Sequence, residues 1–261
     1  MNLIEIFSFI VILGAAVAGG FYPLTRREAA MSDDGFPYGE SFTAGVFLAL
    51  ALVIMLPAGL HLFEKAYPQE VLPIAVIIAI AAFLILLGIE HAAVKSKLKA
   101  GAGALTPSSI PVIMTIMIAI PSFLLGTAIS LSETENALFI LAAVLAHKSS
   151  AGFGLALSMV RSKLTVNETY ILYGVFAIST PLGIIAGADA KHFLSGDTLV
   201  VVKAFTLSIA AGVFLYMATL HEFSNAPFIR HCSTARSFLV MLAGLLLTVC
   251  VKVILELGHA G

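Results

Sequence analysis

Residues 71–94 read VLPIAVIIAIAAFLILLGIEHAAV, an apolar stretch whose first ionisable side chain is Glu90. A helix needs about 20 such residues to cross the hydrocarbon core of a bilayer. Across the 261 residues of the chain, 60% are hydrophobic and only 11% are charged. Soluble domains carry about 25% charged residues. The stretch therefore indicates a membrane-spanning helix, and the composition excludes a soluble globular domain.

Seven further apolar runs, separated by short polar stretches, follow the same pattern. Backbone groups in lipid must be paired within a segment, and these uninterrupted runs lack the alternation of barrel strands. We therefore predict an all-α integral membrane protein, a single transmembrane domain over 1–261, whose partner is the lipid bilayer. The eight predicted spans are 3–24, 41–63, 71–94, 110–131, 136–160, 168–190, 198–221 and 235–257.

The distribution of Lys and Arg predicts the orientation in the cell membrane. The loops after the even-numbered spans hold only Lys65 and Lys191, whereas the other loops are rich in both residue types. Because basic loops stay in the cytoplasm, we expect the odd-numbered loops inside and both termini outside. The net charge of -1 gives no indication of a nucleic-acid partner.

Span 5 carries the clearest polar feature at membrane depth, in the stretch 146–152, AHKSSAG. An ionisable group there costs at least a few kcal/mol, so His147 and Lys148 require an explanation. One interpretation is a polar site, including Ser150, that lines a pathway. The other is a structural hydrogen bond together with a lysine that reaches for the membrane surface.

Spans 4 and 6 each contain a proline at a similar depth, Pro121 before Ser122 and Pro181 after Thr180. A proline inside a helix frees a backbone carbonyl, which membrane proteins tolerate where a neighbour or a water-lined cavity satisfies it. Two broken helices beside a polar helix are typical of a transporter centre. Kinks that serve packing alone are the alternative.

Two other polar pairs lie where spans meet the predicted cytoplasm. Span 7 ends in His221-Glu222, which resembles the start of a zinc-protease HExxH motif, but Asn225 stands at the last histidine. A metal exit site and simple solvation at the membrane edge explain this pair about equally well. Glu90-His91 at the end of span 3 has the same two explanations, and solvation at the membrane edge is favoured over a metal exit site.

Five short motifs in this order resemble the ZIP (Zrt/Irt-like) family of divalent metal transporters. The resemblance extends over nearly the whole chain and implies eight helices, with the metal path between helices 4 and 5. The motifs are Gly45-Val46-Phe47-Leu48-Ala49 before Leu56-Pro57, Ile89-Glu90-His91, Leu145-Ala146-His147-Lys148, Ser179-Thr180-Pro181-Leu182-Gly183, and Ala210-Ala211-Gly212-Val213-Phe214-Leu215-Tyr216.

The chain departs from that family at the residues that hold metal. A His, a neighbouring polar residue and a Glu are usual in span 4, and here Pro121, Ser122 and Leu125 stand there. The usual Glu of span 5 is Ala151, and the frequent Glu of span 7 is His221. The carboxylates of the family's binuclear site are therefore missing.

Zinc and similar cations prefer imidazole, thiolate and carboxylate ligands, so the remaining set predicts weak binding or a changed substrate. The resemblance implies a carrier of zinc or a similar divalent cation toward the cytoplasm, without covalent chemistry and without a resident cofactor. A non-conducting or regulatory relative, or a carrier of another solute, is the alternative. Small residues in span 5 leave open a homodimer. The predicted metal ligands are His147, Ser122, Ser150, Thr180 and His221, with Pro121, Lys148 and Pro181 along the path.

Overall fold

The computed structural model describes residues 3–32, 35–68, 72–98, 109–131, 134–190, 197–219 and 234–259. Over these residues every regular element is helical, which confirms the predicted fold class. The helices are α1 (Leu3–Thr25), α2 (Arg27–Met31), α3 (Pro37–Ala49), a π-helical segment (Leu50–Met55), α4 (Leu56–Ala66), α5 (Ile74–Leu98), α6 (Ser109–Leu131), α7 (Thr134–Arg161), α8 (Val166–Ala190), α9 (Asp197–Thr219) and α10 (Ala235–His259).

The helices begin and end within a few residues of the predicted spans. Among the described residues, seven continuous helical stretches are long and apolar enough to cross a membrane. The predicted fifth span corresponds to α7, a helix of 28 residues that is not one of those seven. The chain is therefore a multi-pass membrane protein, and a total of eight spans stays a prediction.

The second span is not a uniform α-helix. It passes from α3 through the π-helical turn Leu50–Met55 into α4, which begins immediately before Pro57. Proline has no N–H to donate to the carbonyl four residues earlier, here that of Val53, so the regular ladder cannot continue unchanged. Single π turns often occur at functional positions in helices.

The long helices pack as two bundles. The first bundle contains α1, α6, α7 and α8, with its closest packing between α6 and α8 and between α1 and α7. The second bundle contains α3, the π segment, α4, α5, α9 and α10, with its closest packing between α3 and α10 and between α5 and α9. Contacts between the bundles, chiefly of α6 with α9 and of α3 with α7, are sparser.

Glycines allow the backbones to touch inside each bundle. At each of the glycines named at the end of this paragraph, an added Cβ atom would collide with a backbone carbonyl of the partner helix, so the helices could not approach as closely. Between the bundles, by contrast, Gly154 of α7 faces the side chains of Phe47 and Met217. The glycines at backbone contacts within a bundle are Gly19, Gly45, Gly126, Gly183, Gly187, Gly212 and Gly244.

The apolar cores differ between the two ends of the molecule. We call the end formed by the C-terminus of α7 and the N-terminus of α3 the Arg161 end. Toward this end, buried residues of both bundles, such as Met114, Leu155 and Met217, belong to one continuous core. Toward the opposite end, the described residues form two separate cores. One lies in the first bundle around Ile129 and the other in the second bundle around Phe63.

Candidate functional site

The polar residues predicted at mid-membrane depth lie at one level of the first bundle. In the tight α6–α8 contact, Gly126 faces the carbonyl of Thr180, which aligns the turn after Pro121 with the turn before Pro181. Lys148 of α7 reaches the same turn of α8. Three helices therefore bring their polar stretches to one level.

Lys148 is the best-defined member of this level, because it is 1% exposed and its polar partners among the described residues lie on α8. Its Nζ atom donates to the carbonyl oxygen of Phe176 at 3.1 Å and to Oγ1 of Thr180 at 3.1 Å. A longer contact of 3.5 Å joins it to Oγ of Ser179. The ammonium also lies 4.0 Å from the centre of the Phe176 ring. The lysine therefore does not extend to the membrane surface.

These contacts explain how a lysine is accommodated at this depth. A buried ion loses hydration worth several kcal/mol, and only hydrogen bonds, a ring face or a counter-charge can offset that loss. Among the described residues the ammonium has no carboxylate partner, so neutral oxygens and one aromatic ring stabilise it. The turn of α8 before Pro181 thus binds the amine of Lys148, and we call residues 176–180 the Lys148 socket.

Removing one oxygen of this socket should destabilise the protein. We expect Thr180→Val to lower the free energy of unfolding by about 1.5–3 kcal/mol, the usual contribution of a hydrogen bond to a charged group. Thr206→Val is the matched control, because Thr206 is also buried but, among the residues that the structure describes, bonds only to the carbonyl of Val202 in its own helix. Equilibrium unfolding in micelles measures both changes. Equal effects of the two substitutions would contradict the socket.

The other predicted residues have different places. Ser122 and Ser150 are buried, at 5% and 8% exposure, on α6 and α7. The backbone of residue 147 lies in the same turn of α7 as Lys148, while its imidazole is outside what the structure describes. His221 is outside the described residues altogether. No observation tests these residues as metal ligands, so that assignment stays a prediction.

A second buried polar pair lies in the second bundle toward the Arg161 end. Glu90 is 6% exposed and accepts a hydrogen bond from the phenol of Tyr216, which is fully buried. The ring of Phe83 packs edge-on against Tyr216. Glu90 therefore points into the bundle rather than toward an interface, while its neighbour His91 is exposed.

Sequence reasoning missed two contributors to the Lys148 socket. Ser179 was part of a recognised motif but was not predicted as a site residue, and Phe176 lies one turn before that motif. A proline signals a disturbed turn on its N-terminal side, so the stretch 176–180 could have been proposed. The direction in which Lys148 points could not, because it depends on how α7 packs on α8.

The chemistry available at this level is limited. In the part of the chain that the structure describes, no group of three or more His, Cys, Asp or Glu side chains could hold a metal ion together. The oxygen of Thr180 already accepts a hydrogen bond from the ammonium. A visiting cation would therefore find hydroxyl groups and any imidazole rather than carboxylates, which favours weak binding.

Comparison with known proteins adds a family match to this geometry. Residues 95–252 match the sequence profile of the family described as "ZIP Zinc transporter". The match spans 158 of the 261 residues and contains α6, α7, α8 and α9.

Several curated proteins are similar to the chain. Zinc transporter 3 of Arabidopsis thaliana is 24% identical over 229 residues, which is 77% of this chain and 66% of that protein. Zinc transporter ZIP9 of Macaca fascicularis is 30% identical over 143 residues, 52% of this chain and 61% of that protein. Protein zntD of Dictyostelium discoideum is 34% identical over 115 residues, 42% of this chain and 16% of that protein. The chain thus spans less than two thirds of each relative's length.

Proposed function

The chain belongs to the ZIP zinc transporter family, as the resemblance predicted, and from this premise we propose that it carries zinc or a similar divalent cation across the membrane. The observation that carries the proposal is the family match over more than half of the chain, which includes the buried polar level around Lys148. Two of the similar proteins bear the name zinc transporter, which does not favour the alternative of a non-conducting relative.

The predicted transport direction is toward the cytoplasm. The predicted orientation places the Arg161 end on the cytoplasmic side and both termini outside the cell. The ion would then enter from the end where the two bundles have separate cores and leave where they now share one. The proposed cycle is alternating access, with one bundle moving against the other.

The packing of the bundles supports such a motion. Inside a bundle, glycine-to-backbone contacts fix the helices closely, as between Gly183 of α8 and the carbonyl of Phe123 in α6. Between the bundles, Gly154 of α7 faces the side chains of Phe47 and Met217 rather than a backbone. Side chains can change rotamer, and an interface of this kind can adopt a second arrangement more readily than interlocked backbones can.

The proposed ligands of the ion are His147, Ser122 and Ser150. Thr180 would join them only in a state in which Lys148 turns away, since its oxygen accepts from the ammonium here. The proposed site has few ligands of the kinds that divalent cations prefer, so its affinity for the ion should be modest. Transport tolerates modest affinity because the ion must also leave the site. No covalent step is needed, so we propose no enzymatic activity and no resident cofactor.

Zinc uptake into liposomes tests the proposed function. Purified protein is reconstituted with an entrapped zinc-sensitive dye, and zinc, cadmium, cobalt and manganese are added outside. We expect an initial rate with at least one ion above that of protein-free liposomes. No uptake of any of the four ions, together with no heat of binding in calorimetry, would contradict divalent cation transport.

A further inference from the structure

Arg161 and Glu40 form a partly buried ion pair at the Arg161 end. The Nη2 atom of Arg161 donates to Oε1 of Glu40 at 2.7 Å, and Nη1 donates to Oε2 at 3.1 Å. The side chains are 13% and 1% exposed, respectively. A two-pronged guanidinium–carboxylate contact is among the strongest and most directional polar interactions in proteins.

Each partner is also held by a further contact. The Nε atom of Arg161 donates to the carbonyl oxygen of Ala30 at 2.9 Å, and Ala30 belongs to α2 in the connection from α1 to α3. Oε1 of Glu40 accepts from the backbone N–H of Phe36 at 2.8 Å, just before α3 begins. The pair therefore fixes the end of α7, the start of α3 and the segment that joins the two bundles.

The position of this pair matters more than its strength. Arg161 ends α7 in the first bundle, whereas Glu40 lies in the first turn of α3 in the second bundle. Further along the same two helices, Phe47 of α3 packs against Gly154 of α7. The ion pair thus joins the bundles at the end where they share one core.

We propose that the Arg161–Glu40 pair is a latch that holds the two bundles together at the Arg161 end and must break before that end can open. The inference rests on the proposed transport cycle and adds the device that closes it. The guanidinium and the carboxylate are paired and largely shielded from water, which favours the closed state. If the bundles separated without water entering, each group would be left with an unmatched charge. Entry of water to both groups therefore accompanies opening.

The accessibility of a cysteine beside the latch tests the proposal. Thr43 is buried, at 6% exposure, and lies one turn from Glu40 on the face of α3 that continues to Phe47. Thr43→Cys, in a chain whose Cys232 and Cys250 are replaced by serine, reports opening through its reaction rate with a polar maleimide. In full-length protein in lipid nanodiscs, we expect Glu40→Gln to raise this rate at least about tenfold, because breaking one side of a buried pair is strongly unfavourable to the closed state.

Two further variants separate the latch from a general loss of structure. The exchanged pair, Glu40→Arg with Arg161→Glu, should bring the rate part of the way back to that of the parent, since the ion pair is restored while the contacts with Phe36 and Ala30 are not. Glu168→Gln removes an exposed acid from the start of α8 at the same end and should leave the rate unchanged. If Glu40→Gln does not yield folded protein, Arg161→Lys replaces it, because a lysine keeps the charge but loses the fork.

The outcomes separate the latch from the proposed function. A labelling rate unaffected by Glu40→Gln or Arg161→Lys, or an exchanged pair as reactive as Glu40→Gln, overturns the latch while zinc uptake by the parent chain stands. Latch-dependent labelling in a chain without metal uptake overturns the transport proposal and leaves the latch.

Discussion

Zinc uptake into liposomes is expected to fall at least about tenfold on His147→Ala. Even the hydrogen-bond partners of a metal ligand are worth about 10–100-fold in metal affinity or activity, and a ligand itself should be worth no less. The usual carboxylates of the family are absent, so little remains at this level to replace an imidazole. The measurement is the initial rate of zinc entry, at equal amounts of reconstituted protein.

The matched control for this substitution is His61→Ala. His61 is an exposed imidazole on α4, away from the level of Lys148, so its loss should leave the rate near that of the parent. An uptake rate for His147→Ala equal to that of the parent would show that the ion does not depend on this side chain, and the site assignment would then be wrong.

Gly183→Leu is expected to disrupt the first bundle. A Cβ atom at residue 183 would collide with the carbonyl of Phe123 on α6, and this contact is part of the closest helix pair of the molecule. Overpacking a close contact costs about 1–3 kcal/mol, and more where backbone must move. We therefore expect a loss of about 3 kcal/mol or more in the free energy of unfolding, measured by denaturant titration in micelles.

The same helix offers the control for this change. Gly174 lies on α8, and a Cβ atom added there meets nothing within 4 Å. Gly174→Leu should leave the stability unchanged or raise it slightly, because leucine favours a helix more than glycine does. Equal losses from the two substitutions would mean that the α6–α8 contact is not what holds these helices at their close distance.

The sequence predicted the helices well because each apolar run carries its own signal. Long uncharged stretches must form hydrogen-bonded helices in lipid whatever their neighbours are, so the helices begin and end within a few residues of the predicted spans. The meeting of Pro121, Lys148 and Pro181 at one level was also predictable, since each residue lies near the middle of its run.

Features that depend on how helices pack were not predictable in the same way. The turn of α8 that accepts Lys148 depends on which face of α7 meets α8. The apolar runs carry no polar stripe along one side, so the sequence does not show which face that is. Arg161 is one of the basic residues that follow the odd-numbered spans, and its pairing with Glu40, 121 residues away, leaves no local pattern in the sequence. The π turn at Leu50–Met55 was missed because Pro57 indicates a disturbance but not its type.

The central claim is that a divalent cation binds at the level of His147 and Lys148, between α6 and α7 of the first bundle. Crystals soaked in zinc, with anomalous differences collected at the zinc absorption edge, test it most directly. The claim predicts an anomalous peak about 2.0–2.1 Å from a ring nitrogen of His147, the ordinary zinc–imidazole distance. Zinc peaks elsewhere in the protein with none near His147, in protein that takes up zinc in liposomes, would contradict it.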